Sequence, residues 1–349
     1  MGKPIVSFPL SILISKLDLE SMSSLQPTFV ASAVSNLKGI VNQTPVMTSR
    51  TLDETVGGQV FLKCENFQRV GAFKFRGAYH AISRLSDKQR AAGVITHSSG
   101  NHAQGVALAA KLLGVRATVV MPEDAPNIKR EATKNYGAKI VPCAAINREA
   151  VTEQLIDEHN FTFIHPYDDN HVIAGQGTTA WEFFDEVGDL DLLFVPVGGG
   201  GLISGCALAA AAKSPKCQVI GVEPERANDA NRSWREGQII TLDTVPDTIA
   251  DGLRPRHIGQ RNLIIMRRYV NDMITVSEQA IVESLLYIWQ RLKIVVETSA
   301  AVALAPILTG GIEARGLRIG IILSGGNVDL SELWNYRYPK SLKTGDEYG

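Results

Sequence analysis

Short apolar runs separated by longer stretches of mixed polarity recur along most of this chain. Val94-Ile95-Thr96 and Ala117 to Met121 read as strands, with a helix from Asn101 to Leu113 between them. The alternation continues with a helix around Ile128 to Tyr136, strand Lys139 to Val141, helix Arg148 to His159 and strand Thr162 to Ile164. A second series follows from Gly175: strand Leu192 to Val197, small-residue helix Leu202 to Ala212, strand Gln218 to Val222, helix Glu278 to Leu292 and strand Ile319 to Leu323. Ahead of both lie a helical pattern from Phe29, strand Gln59 to Glu65 and a helix over Gly77 to Leu85. Strands alternating with covering helices predict parallel sheets, and hence an α/β fold. The order of the two series predicts two open parallel-sheet domains, the smaller inserted in the larger. Residues 27–90 and 167–349 form the large domain in this reading, and 91–166 the small one.

Composition narrows the class. The chain has 349 residues, 45% of them hydrophobic and 20% charged, which is ample apolar material for a core. Formal net charge is -1 and the basic residues are scattered, so neither nucleic acid nor an anionic membrane is an expected partner. Cys64, Cys143, Cys206 and Cys217 show no metal-type spacing, which points to unpaired thiols in a reducing, cytoplasmic setting. Residues 1–26 read as an N-terminal tail. Their apolar stretch from Pro4 to Ile14 is too short to span a bilayer, is interrupted by Pro9 and is followed by Lys16, Asp18 and Glu20 without a small-residue cleavage site.

The chemistry starts with Lys74, which lies between Phe73 and Phe75 inside Gly71-Ala72-Phe73-Lys74-Phe75-Arg76-Gly77. An ammonium among aromatics loses hydration, which favours the neutral, nucleophilic amine and a Schiff base with a carbonyl. A surface lysine with its stem on apolar neighbours is the bland alternative. Strand Leu193 to Val197 runs into Gly198-Gly199-Gly200-Gly201 and then a helix, so backbone N–H groups can converge where the helix dipole also favours an anion. A dinucleotide site is the rival reading, with Glu223 at about the ~20-residue spacing, but the G-x-G-x-x-G pattern cannot be placed. A tight turn without a ligand is the third reading. Ser98-Ser99-Gly100-Asn101-His102 stands at another strand-to-helix junction, as a seat for a carboxylate or as a plain helix cap. Ser324-Gly325-Gly326-Asn327 puts a hydroxyl at the carboxyl end of the last strand. One small molecule would use all of these: a pyridine aldehyde with a phosphate handle, which is pyridoxal phosphate.

These motifs occur in order, together with Ala174-Gly175-Gln176-Gly177-Thr178. Over about residues 35 to 330 the sequence resembles the serine/threonine dehydratase and serine racemase family of pyridoxal-phosphate enzymes, fold type II (tryptophan synthase β-like). The resemblance implies that Lys74 is the Schiff-base lysine, with Phe73 beside the ring. It implies that Asn101 bonds the ring oxygen, Gly198, Gly199, Gly200 and Gly201 the phosphate, and Ser324 the ring nitrogen. Ser98, Ser99, Asn101 and His102 would line the substrate site, with Ser99 as the acid/base opposite Lys74. Arg148 matches an arginine near the substrate carboxylate in the racemase branch. Glu223, the Ala227 carbonyl and Asp229 match a racemase-type Mg2+ site, which Mn2+ or Ca2+ would also suit. A homodimer is implied as well.

The sequence departs from the family pattern at three positions. Ala72 replaces the serine usual before Phe-Lys, and Tyr167 is a dehydratase trait where mammalian-type serine racemases have asparagine. Val70 stands where ATP-activated racemases carry threonine, which argues against nucleotide activation. The expected activity is an ammonia-lyase (dehydratase) converting L-serine- or L-threonine-type hydroxyamino acids to keto acid and ammonia by α,β-elimination. Serine racemase and threo-3-hydroxyaspartate ammonia-lyase are the close alternatives. A nucleotide-binding Rossmann protein or a non-catalytic binding module is the remote one.

Overall fold

The computed structural model describes residues 26–329 apart from 124 and 126, so the tail expected over 1–26 lies almost wholly outside it. Ten strands build two sheets. β1 (Val46–Thr48), β2 (Gln59–Cys64), β7 (Leu192–Pro196), β8 (Gln218–Pro224), β9 (Asp272–Val276) and β10 (Arg318–Leu323) form the larger, in the order β1-β2-β10-β7-β8-β9. Only β1 runs antiparallel, against β2. β3 (Val94–His97), β4 (Ala117–Pro122), β5 (Lys139–Cys143) and β6 (Thr162–Phe163) form a parallel sheet in the order β5-β4-β3-β6. Central strands such as Leu192 to Pro196 are buried throughout, as expected of parallel strands covered by helices on both faces. Among the described residues no helix is long and apolar enough to cross a membrane.

Two helices behind the larger sheet approach unusually closely. The Asn170–Val187 helix crosses the Gly201–Lys213 helix where Gly177 meets Gly205, and a Cβ on Gly177 would lie 2.6 Å from the Gly205 carbonyl oxygen. Only glycine fits at that crossing. Element boundaries differ from the sequence reading in two instructive places. The helix expected from Gly77 begins at Lys74 itself, so the lysine occupies a first turn. The helix expected over Glu278 to Leu292 is α-helical to Tyr287, then makes a π turn over Ile288–Leu292 and stops at Lys293, whose φ is 61°.

A buried ion cluster anchors the helix that begins at Lys74. Arg76 and Glu65 are both fully buried, and the Arg76 guanidinium donates to both Glu65 oxygens at 2.7 and 2.8 Å and to Glu182 at 2.7 and 2.8 Å. Lys63, equally buried, donates to the Thr44 carbonyl at 2.7 Å and lies 3.3 Å from Glu182. Burial alone would raise the Glu65 carboxyl; the Arg76 guanidinium overrides it and holds it below the usual carboxylate range. Two cations and two anions with their hydrogen bonds satisfied make such burial tolerable.

Candidate active site

Segments that follow the carboxyl ends of β2, β3, β6, β7 and β10 meet in one cleft, where α/β sheets place ligands. The β2 and β10 segments are tied by backbone. Phe73 N–H donates to the Ser324 carbonyl at 3.1 Å, Gly326 N–H to the Gly71 carbonyl at 2.9 Å, and Ala72 bridges Gly325. Lys74 and the buried Ser324 are therefore neighbours. The Lys74 amine lies 5.2 Å from the centre of the Phe73 ring and donates to the Pro166 carbonyl, just after β6, at 2.7 Å. Burial lowers its pKa to about 8, against the opposing pull of Glu297. A larger fraction of neutral amine near physiological pH is what a nucleophile or general base needs.

The glycine loop lies beyond Pro166. Gly200 is left-handed at φ 90° and caps the Gly201–Lys213 helix. The Gly199 carbonyl accepts from the buried Asn262 amide at 2.7 Å and from the Gly259 N–H at 3.1 Å. Every position of the loop from Gly199 on is bare for a steric reason. A Cβ at Gly199 would lie 2.2 Å from the Tyr167 ring, at Gly200 2.8 Å from Asn262, and at Gly201 2.6 Å from the Gln176 side-chain oxygen. The loop therefore offers backbone N–H groups at a helix N-terminus with no side chain to block an anion. Together with a lysine whose pKa burial lowers and the buried Ser324, this donor set fits a phosphorylated pyridine aldehyde.

The β3 segment forms the opposite wall. The Ser98 hydroxyl accepts from Gly100 N–H at 3.3 Å, and the half-buried Ser99 sits in the same turn. Asn101 opens the Asn101–Leu112 helix, which packs on the lysine: a Cβ on Gly105 would lie 3.2 Å from the Lys74 carbonyl carbon. The Asn101 amide donates to Glu297 at 2.8 and 3.1 Å and accepts from the Asn327 amide at 2.9 Å. His102 is buried and its Nε2 meets the Ile164 carbonyl at 3.0 Å, so this ring braces the wall from behind. Burial, with Lys74 adding to it, holds that imidazole neutral.

Arg148 begins the Arg148–His159 helix after β5, and its Nε is buried without a hydrogen-bond partner. Burial first, then the Arg148 charge, hold His97 at the end of β3 below the usual imidazole range, which puts the guanidinium within electrostatic reach of that strand end. Glu223, next to last in β8, is fully buried and accepts from Ala230 N–H at 3.1 Å and Asn231 N–H at 2.7 Å. Asp229 begins the next helix, and one of its oxygens is buried without a partner. Burial and the Asp229 charge push Glu223 well above the carboxylate range, and burial pushes Asp229 to about 7. Ala227 is buried between them in sequence. Among the described residues no three His, Cys, Asp or Glu side chains form a metal-ligand cluster.

Glu297, Asn327, Tyr167 and the Pro166 carbonyl were not among the sequence-derived site residues. Glu297 carried one signal, an acid following Val295-Val296 that turns out 5% exposed. The Pro166 carbonyl carried none, because any residue supplies one.

Residues 37–325 match the family described as "Pyridoxal-phosphate dependent enzyme". An L-threo-3-hydroxyaspartate ammonia-lyase of Saccharomyces cerevisiae is 53% identical over 308 residues, covering 87% of this chain and 94% of that one. A serine racemase of Schizosaccharomyces pombe is 48% identical over 308 residues, covering 87% and 95%. Among solved structures, maize serine racemase superposes with a TM-score of 0.85 at 42% identity, covering 90% of this chain and 97% of that one.

Proposed function

The chain belongs to the pyridoxal-phosphate-dependent enzyme family, and on that premise we propose that it is an ammonia-lyase acting on β-hydroxylated amino acids, L-threo-3-hydroxyaspartate before L-serine and L-threonine. The observation that carries the reading is the Lys74 amine, lowered to about 8 where the segments after β2, β6 and β10 converge. The order of substrates is changed from the sequence reading by the hydroxyaspartate lyases among the relatives, at 53% and 51% identity. Arg148, within electrostatic reach of the end of β3, is the group for a second carboxylate.

When bound, pyridoxal phosphate supplies an electron sink for negative charge at the substrate Cα. The protein supplies the rest. Gly198 to Gly201 would hold the phosphate through backbone N–H groups, Ser324 would offer a hydroxyl to the ring nitrogen, Asn101 would meet the ring oxygen and Phe73 would lie beside the ring. Ser98, Ser99 and the N-terminus of the Asn101 helix receive the substrate α-carboxylate, with His102 bracing them. Lys74 is the general base: its Nζ takes the Cα proton, and loss of the β-hydroxyl follows. The enamine that leaves hydrolyses to a keto acid and ammonia. Ser99, which the family resemblance puts opposite Lys74, would return a proton to Cα in the racemising branch, which the serine racemase among the relatives supports.

Glu223, the Ala227 carbonyl and Asp229 are the ligands for Mg2+ or a similar hard cation, supported by the unpartnered Asp229 oxygen. Residues 91–166 form the substrate domain that moves over the cleft, and the enzyme works as a cytoplasmic homodimer. A substrate panel tests the reading. The protein is incubated with L-threo-3-hydroxyaspartate, L-serine, L-threonine and both D-enantiomers, with magnesium or EDTA, and keto acid and opposite enantiomer are measured together. Keto acid from hydroxyaspartate is the expected result. No keto acid from any of them sinks the lyase, and opposite enantiomer alone makes the protein a racemase.

A further inference from the structure

Glu297, whose backbone N–H donates to the Gly325 carbonyl at 3.1 Å, lies within electrostatic reach of Lys74 on the segment leading to the Thr298–Ala301 helix and is almost fully buried. Both of its oxygens are within reach of the Asn101 amide nitrogen, at 2.8 and 3.1 Å. Asn327 holds the other end of that amide: its Nδ2 donates to Asn101 Oδ1 at 2.9 Å and to the Val70 carbonyl at 2.7 Å. The donor and acceptor inventory fixes the orientation. The Val70 carbonyl can only accept, so Asn327 must present its NH2. Asn101 must then present its oxygen to Asn327 and its NH2 to Glu297. An amide has two N–H bonds, and Glu297 occupies one, leaving the other aimed away from the acid.

The space around the acid is tight. A Cβ on Gly325 would lie 2.6 Å from a Glu297 oxygen, so the glycine after Ser324 is required by this carboxyl group. Val70, whose carbonyl ends the chain of bonds, is held at φ 57°, an uncommon conformation for a β-branched residue. Burial pushes the Glu297 carboxyl up to about 8; Asp251 adds to the rise and Lys129 opposes it, while the Lys74 amine also lies within electrostatic reach. One oxygen can therefore carry a proton while the other still accepts from Asn101.

We infer that Glu297 is a positioning residue of the cofactor site, setting through Asn101 the hydrogen bond offered to the cofactor's ring oxygen. The inference rests on the functional reading above. It makes Val70, Asn327, Asn101 and Glu297 one chain of hydrogen bonds, with Asn101 the member that would meet the cofactor.

The test is a double-mutant cycle read by the dissociation constant for pyridoxal phosphate and the absorption maximum of the lysine-bound cofactor. Glu297→Leu removes the acceptor and should weaken cofactor binding about tenfold, the scale of one buried hydrogen bond. It should also move the absorption maximum to where Asn101→Ala places it. In the Asn101→Ala background the same change should cost less than about twofold. Glu297→Gln keeps an acceptor and should restore both readouts. Equal losses in the two backgrounds, or no rescue by glutamine, overturn the inference. Should Glu297→Leu not fold, Asn327→Ala removes the anchor at the other end of the amide, and additive loss with Asn101→Ala is again the overturning result. A wild-type protein that gives no borohydride-sensitive band with pyridoxal phosphate instead brings down the functional reading itself.

Discussion

The amine of Lys74 rests 2.7 Å from the carbonyl oxygen of Pro166, so the proposed nucleophile is held by a backbone atom of the segment that follows β6. That contact holds the amine without donating a counter-charge, and burial then depresses its pKa to about 8. Capture of pyridoxal phosphate by the cofactor-free protein requires the neutral amine. The capture rate should rise with pH through about 8 and level off above it, whereas an ordinary lysine would keep gaining toward its unperturbed value near ~10.4. Stopped-flow absorbance across that range checks the midpoint. Lys74→Ala should give no captured cofactor and turnover lowered by at least ~10²–10⁴-fold.

Ser99→Ala should remove racemisation by about 10² or more while leaving keto-acid production from the L-substrate within a few-fold, because only the reverse face loses its acid/base. Chiral chromatography alongside a keto-acid assay separates the two. Equal losses in both products would count against a two-base site.

Arg148→Ala should lower kcat/KM for L-threo-3-hydroxyaspartate by about 10- to 100-fold, the scale of a charged hydrogen bond, and leave L-serine within about threefold. If both substrates suffer alike, the arginine serves the α-carboxylate or the fold.

Glu223 and Asp229 make a stability prediction with a definite sign. Both carboxyls are raised in the folded chain, so as pH rises the unfolded chain releases protons that the native one retains. Stability therefore falls with pH, for Asp229 from its unfolded value near ~4 up to about 7. A divalent cation replaces the retained protons, so its stabilising effect should grow over the same window. Thermal unfolding with Mg2+ or EDTA should show a Tm gain of a few degrees at about pH 8 and little at about pH 5. A gain independent of pH would remove these acids as the ligands.

Arg76→Met should destabilise the protein by about 3–5 kcal/mol, because it strands the fully buried Glu65 without its cation. Urea unfolding measures it. A cost below about 1 kcal/mol would mean that Glu65 takes up a proton with little penalty or that water enters.

The features legible in the sequence were those written in local order. Alternating apolar runs marked eight of the ten strands, and Lys74, the Ser98 turn and the glycine loop each stand at a strand-to-helix junction. Bonds that join distant segments left no local trace. Asn101 and Glu297 are 196 residues apart, and nothing near Glu297 announces its partner. In sequence, Gly199 stood between a phosphate cradle, a dinucleotide site and a plain tight turn, with no sign that the Tyr167 ring also demands its bareness. The 18-residue Asn170–Val187 helix escaped reading because it is buried on most sides, so its apolar residues show no clear stripe.

The strand order has a consequence for how the chain is made. β10, the last strand to be synthesised, lies between β2 and β7 at the centre of the larger sheet. The β3 to β6 sheet is complete once residue 163 has emerged from the ribosome, but the larger sheet stays split in two until residue 323 is available. Ser324 arrives with that closing strand. A chain that stops short of β10 therefore holds the lysine and the glycine loop without the strand that joins β2 to β7.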